Sequence, residues 1–315
     1  MFKNLIKIPT LDMSREEWLM HRRKSIGGSD AAAIVGMNPW ASPYSVWADK
    51  LGKLPEKEDT ESMRLGRDLE DYVAKRFTEA TGKKVRRENA IITNPDFPFA
   101  HANVDRMVVG EDAGLECKTT RSLNVKQFKN GEFPDNYYAQ CVHYMMVTGA
   151  SKWYLAVLVL GEGFYWYCIE RDEAEIESLD NAEQEFWYYV ESNTPPVTDG
   201  NKATTETLSM IYADSNPGST MQLFGCDTYL REYLDLGNRI KVLKEQQDEV
   251  ANKVKATMGE TEKGASDSYK VSWTSSKRET FDSKAFLADH PEINTAPYMK
   301  VTATRAFKVS EIKKK

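Results

Sequence analysis

The stretch from Phe99 to Thr119 limits the possible folds more than any other. Two strand-like runs flank the turn GEDAG (110–114), with Asp105 on the first run and Glu116 and Lys118 on the second. Side chains two apart on a strand point to one face, so Glu116 and Lys118 face one way and Cys117 the other. A turn between paired strands brings Asp105 alongside. Leu115 precedes Glu116 in a segment otherwise suited to burial. Hydrolysing a phosphodiester needs a positioned water, neutralised phosphate oxygens and help for the leaving oxygen. Hard divalent cations held by carboxylates supply much of this, and a nearby lysine can orient the water and offset developing charge. An Asp, ten intervening residues and then Glu-x-Lys provides that set, with the Cys117 backbone carbonyl as a further oxygen ligand. Taken alone, the same pattern also fits a hairpin with exposed charges.

The elements around this hairpin read as an α/β unit. Ser14 with Glu17 is a capping box and opens a helix through Arg22 and Arg23. Ser29 or Asp30 can cap a short helix AAAIVG. A helix is expected near 44–51, and a longer one over 61–81 is closed by Gly82. Strand signals follow at 85–93, 99–109 and 115–119. A helix over 135–148 ends at Gly149, and two strands, 153–160 and 164–169, come next. The segment Glu170–Glu191 carries nine acidic residues against the single Arg171, and its apolar positions recur at helical spacing, so it reads as a helix with a solvated acidic face. This order predicts a mixed central sheet flanked by helices over residues 1–195.

Residues 196–220 read as a Pro-, Gly-, Ser- and Thr-rich linker. Over 221–315, Tyr229, Tyr233, Leu236, Ile240, Leu243, Gln247, Val250 and Val254 recur at alternating steps of four and three. That is a heptad-like seam, open to a coiled-coil-like arm, a dimer contact or a docked helix. Strand-like alternation at Tyr269–Trp273 and Val301–Val309, a short helix near 283–289 and a frayed KKK terminus complete the chain.

Bulk properties exclude several classes. No apolar run approaches the roughly 18 to 20 residues that span a bilayer, and MFKNLIKIPT lacks a secretion-signal core. The four cysteines are scattered, without zinc or iron–sulfur spacing, and suit free thiols in a reducing cytoplasm. A net charge of −6 is the wrong sign for a protein that merely coats nucleic acid, yet carboxylates that hold metal are themselves negative.

Three further features join the hairpin. Glu70 lies in LGRDLE, on a helix whose Leu65, Leu69, Val73 and Phe77 form an apolar face. Gln140 lies in YYAQ, on the helix after the Glu-x-Lys strand. Arg22 and Ser29 bracket RRKSIGGS, a basic, glycine-containing lead-in to a helix N-terminus, where phosphate is favoured. In the order RRKSIGGSD, LGRDLE, ANVD, ECK and YYAQ, these motifs resemble the lambda-exonuclease and YqaJ-type phage recombination nucleases over residues 15–195.

The resemblance implies a PD-(D/E)xK restriction-endonuclease-like α/β fold with a helical, partly β extension. It also implies a Mg2+-dependent, two-metal exonuclease of duplex DNA ends, with Mn2+ able to substitute. Such an enzyme would run 5′ to 3′, pass its overhang to a single-strand annealing protein, assemble as a homo-oligomeric ring and work in the bacterial cytoplasm from a phage or prophage gene. Carried over residue by residue, Asp105, Glu116 and the Cys117 carbonyl hold metal, and Glu70 holds or polarises a second metal. Lys118 acts on the nucleophilic water, Gln140 orients water or a phosphate oxygen, and Arg22, Ser29 and Asn103 contact phosphate. Val104 stands in place of the motif's Pro, and Arg106 follows Asp105 where a Gly often stands.

Other residues carry weaker signals. His101 reads as structural rather than as a ligand. Tyr144 could reach the site from one helical turn beyond Gln140, and Tyr44, Trp40 and Trp47 could stack on DNA ends, but all four read first as core; Arg278 and Arg305 could grip phosphate but read first as surface charge. An endonuclease on the same fold, or a non-catalytic DNA-binding recombination scaffold, are the competing functions.

Overall fold

A computed structural model describes residues 4–56, 58–121, 125–299 and 305–312. They divide into two compact units, Met1–Ala213 and Asp214–Lys315. The first opens with strand β1 (Ile6–Pro9) and helix α1 (Arg15–Arg23). Ser14 accepts from the Glu17 backbone and Glu17 caps Ser14 in return. Next come β2 (Ile26–Gly27) and α2 (Gly28–Ile34). Gly27, not Ser29 or Asp30, holds the N-cap of α2; Asp30 instead receives the Gly27 N–H from within the first turn. Pro43 starts α3 (Pro43–Lys50) behind its cap, Ser42. Helix α4 (Glu61–Thr81) runs from a Thr60 cap to left-handed Gly82, φ 72°, a conformation that costs glycine nothing.

The strand runs expected at 85–93 and 99–109 each break in two. They give β3 (Val85–Arg87), β4 (Ala90–Thr93), β5 (Ala100–Ala102) and β6 (Arg106–Val108), followed by β7 (Ala113–Thr120). Helices α5 (Val125–Lys129) and α6 (Asp135–Thr148), strands β8 (Lys152–Val159) and β9 (Gly163–Glu170), and α7 (Glu173–Glu191) follow. The central sheet has the order β3-β6-β7-β8-β9. β7 and β8 pair in parallel over their whole length, and the other pairs are antiparallel. Parallel neighbours need a crossover, and α5 and α6 provide it. The broken runs create a second sheet, β1-β4-β5-β2, so the unit holds two sheets rather than one.

β7 sits between β6 and β8, and its first half is buried: Ala113, Gly114, Leu115 and Glu116. Trp153, fully buried on β8, lies across Gly114, where an added Cβ would stand 2.2 Å from its ring. α4 covers one face of the sheet with Val73, Ala74 and Phe77, while α6 and α7 contribute to the larger core. Each large side chain removed from water there contributes about 1.5–3 kcal/mol.

The stretch read as a linker contains a helix, α8 (Lys202–Ile211), packed on α3. Buried Thr204 sits 2.7 Å from the Ser42 hydroxyl, so the first unit runs through Ala213. Such a contact leaves no local signal in the sequence.

The second unit contains α9 (Asp227–Met258), a hairpin of β10 (Lys263–Ala265) and β11 (Lys270–Ser272), and α10 (Ser283–Asp289). The seam expected over 229–254 lies on α9, with Tyr229, Ile240 and Val250 exposed. Of the strand expected at 301–309, residues 301–304 lie outside the described residues, as does the KKK terminus, and 305–309 form no strand. No helix of the described residues is long and apolar enough to cross a membrane.

Candidate active site

The end of β6 creates the site. The β6–β7 ladder stops at Arg106 opposite Leu115. Further along β7, the Cys117 N–H donates instead to Asp105 Oδ2 at 2.8 Å. The carbonyl and N–H of one strand residue point to the same side, so the Cys117 carbonyl faces the Asp105 side as well. Glu116 is 3% exposed. Its Oε1 lies 2.6 Å from Lys118 Nζ and accepts from Gln140 Nε2 at 2.8 Å. Lys118 also donates to Gln140 Oε1 at 2.8 Å and lies over the Tyr137 ring. Gln140 Nε2 donates in turn to the buried Tyr144 hydroxyl. Tyr144, read chiefly as core with the site within reach, is both buried and part of this network.

The other oxygen, Glu116 Oε2, is buried and has no hydrogen-bond partner among the described residues. A bare buried carboxylate oxygen carries an unrecovered desolvation cost. The Asp105 carboxyl is pushed well above its usual range by burial, and further by the charges of Glu116 and Glu70. Burial disfavours the Lys118 ammonium, but the Glu116 carboxylate outweighs it and raises its pKa. Lys118 is therefore a cation at neutral pH, a donor rather than a proton acceptor.

Glu70 is held by an arginine. Arg106, buried at the start of β6, binds the Glu70 carboxylate, the Asp105 carbonyl at 2.6 Å and Asp71 at 2.6 Å. Among the described residues no three His, Cys, Asp or Glu side chains are gathered to grip one ion. The guanidinium stands where a Gly often follows the Asp, and it pairs with Glu70. Asp105, Glu116 and the Cys117 carbonyl still fit a hard cation: they are oxygen donors, one carboxylate oxygen is bare, and the acids repel one another. Glu70 lines the same cleft as Asp105, Asn103, Arg87 and Trp18.

Arg22 and Ser29 come together: the guanidinium donates to Ser29 Oγ at 3.0 Å and lies over the Trp18 ring of that cleft. Gly28 closes the gap to the acids. A Cβ there would stand 2.6 Å from the Tyr144 ring and 3.1 Å from Gln140 Cγ, so only glycine lets α2 approach α6 this closely. His101 is structural. It lies 2.8 Å from Ser25 Oγ, and burial, with the nearby Lys50 charge, pushes its pKa down to about 3. Tyr44 and Trp47 are core, whereas Trp40 is 83% exposed. Sequence reasoning missed the roles of Arg106, Tyr137 and Lys50. Only Arg106, in an unexpected place beside Asp105, offered a signal.

Several known proteins resemble this chain. The YqaJ-like viral recombinase domain matches residues 17–151. The uncharacterized protein YqaJ of Bacillus subtilis (strain 168) is 40% identical over 309 residues, 96% of each chain. The alkaline exonuclease LHK-Exo of Laribacter hongkongensis is 22% identical, covering 57% of this chain and 94% of its own. Its TM-scores are 0.49 and, in a complex with dAMP, 0.50. The likeness at a TM-score of 0.50 shows a shared α/β fold.

Proposed function

The chain belongs to the YqaJ-like viral recombinase family, and from that premise we propose that it is a divalent-cation-dependent exonuclease of duplex DNA ends acting in recombination. The observation that carries this reading is the half-satisfied Glu116 carboxylate, one oxygen bound by Lys118 and Gln140 and the other, buried, without a partner among the described residues. Asp105, Glu116 and the Cys117 carbonyl would hold the cation, Mg2+ or Mn2+. When bound, it supplies Lewis-acid stabilisation of phosphate charge.

The chain's own residues do the rest. Lys118, held protonated by Glu116, points its charge at the attacking water and stabilises the oxyanion that forms as the phosphorus–oxygen bond breaks. Gln140 fixes both Lys118 and Glu116, and so sets the direction of attack. Arg22 and Ser29 bind a phosphate of the end being digested, with Asn103 on the cleft wall. Glu70, released from Arg106, would complete a second cation position. Polarity from 5′ to 3′, a ring-shaped homo-oligomer and an annealing-protein partner belong to the same proposal.

The decisive experiment incubates the protein with Mg2+ on linear and covalently closed duplexes, with one strand labelled and the 5′ ends either phosphorylated or not. Loss of the linear form alone, abolished by chelator, is the expected result. Nicking or linearisation of the closed circle would replace the exonuclease reading with an endonuclease. No digestion of any substrate would leave a DNA-binding scaffold.

A further inference from the structure

Beneath Arg22 and Ser29 lies an ion pair that the chemistry above does not use. Lys50 ends α3, and its side chain has no solvent exposure. Its ammonium meets the Arg22 carbonyl at 2.8 Å, the Ser25 carbonyl at 2.8 Å and Asp30 Oδ2 at 2.6 Å. Three donors meet three acceptors, so the group is saturated. Asp30 Oδ2 also accepts the Gly27 N–H at 3.0 Å, while Oδ1 stands 3.6 Å from the Arg22 guanidinium. The guanidinium's closer contact, at 3.0 Å, is the exposed Ser29 hydroxyl.

The direct ionic contacts of Asp30 are two cations, Lys50 and Arg22, with the buried His143–Glu183 pair acting from farther away. His101 adds nothing at neutral pH, because its pKa is pushed down to about 3. Without Lys50, a carboxylate buried this deeply would have one counter-charge within reach, Arg22, and an uncompensated buried charge is costly enough to draw it in. With Lys50 present, Asp30 is already neutralised.

Resting on the reading that Arg22 and Ser29 receive phosphate, we propose that Lys50 is a positioning residue: it neutralises Asp30 so that the Arg22 charge is left for a DNA phosphate. The residue acts on affinity and its salt dependence, not on the bond-breaking step. A purely mechanical clamp would serve equally well with any side chain that satisfied the two carbonyls.

The test measures duplex binding by the full-length chain in chelator, so that no digestion occurs, as a function of salt. Arg22→Ala is expected to lower the log–log salt slope by about 0.9, one phosphate, with a loss on the order of tenfold in affinity at 0.1 M salt. Lys50→Gln keeps amide donors for the carbonyls but lacks the charge, and is expected to match Arg22→Ala. The double variant Lys50→Gln/Asp30→Asn is expected to regain the wild-type slope. Its neutral pair also keeps the test valid if the single variant folds poorly. A Lys50→Gln slope equal to wild type, or a folded double variant that fails to recover, overturns the proposal. An unchanged slope in Arg22→Ala overturns instead the underlying phosphate reading, and is read from a different protein.

Discussion

Asp30 and Asp105 are aspartates of one unit held in opposite states. Around Asp30 burial opposes the charge, but Lys50 and then Arg22 outweigh it and hold the carboxyl well below the usual range. Around Asp105 burial is reinforced by Glu116 and Glu70, and the carboxyl is driven up. The count of neighbouring cations makes the difference. Where each buried carboxylate has a cation of its own, the cluster is finished and serves as framework. Where acids outnumber cations, the protein has built a place that a further cation completes.

The sharpest way to break this contrast is Glu116→Gln. It should lower Mg2+-dependent digestion of linear duplex by about 10²–10³-fold or more, the scale of losing one preorganised electrostatic group. A rate within tenfold of wild type would end the distinction. Next in size is Lys50→Met. Stranding the Asp30 carboxylate should cost about 3–5 kcal/mol of unfolding free energy by denaturant titration, and a cost below about 1 kcal/mol would mean that Lys50 is incidental.

The third test has the opposite sign. In chelator, Asp105→Asn should stabilise the protein by about 1 kcal/mol near pH 8, because the folded state resists ionising this acid. Its folded pKa is raised, so the penalty is largest at high pH and shrinks as pH falls, vanishing only below the unfolded value near 4, where the carboxyl is protonated in both states. Thermal melts of both proteins from pH 4 to 8 check this, and a gap that widens on acidification would contradict it. The smallest effect belongs to Asp30. Its depressed pKa means that its stabilisation is complete above about pH 4 and is lost only as pH falls through the folded value. Melting of wild type against Lys50→Gln/Asp30→Asn should therefore differ by a constant amount from pH 5 to 8 and converge in stronger acid.

Much of this was legible from local chemistry. The Ser14–Glu17 box, Gly82 and Gly149 mark helix ends through backbone groups that only neighbours in sequence can satisfy. Glu116 and Lys118 share a face because strands alternate. What escaped depends on distant partners. A lysine closing a helix reads as solvated, and only the fold places Lys50 under the carbonyls of Arg22 and Ser25. Arg106 sits beside Asp105 in sequence, but its grip on Glu70 requires α4 to lie over β6 and β7. The break between β5 and β6 at 103–105, which frees Asp105 to reach Cys117, is invisible in a run whose apolar residues continue across it.

The hydroxyl contact between Thr204 and Ser42 governs where the chain can be shortened. Ser42 caps the helix that ends in Lys50, so a stop codon placed after residue 195 would remove the tether of that cap and loosen the ammonium at the helix's other end. A stop codon placed after Ala213 keeps the tether.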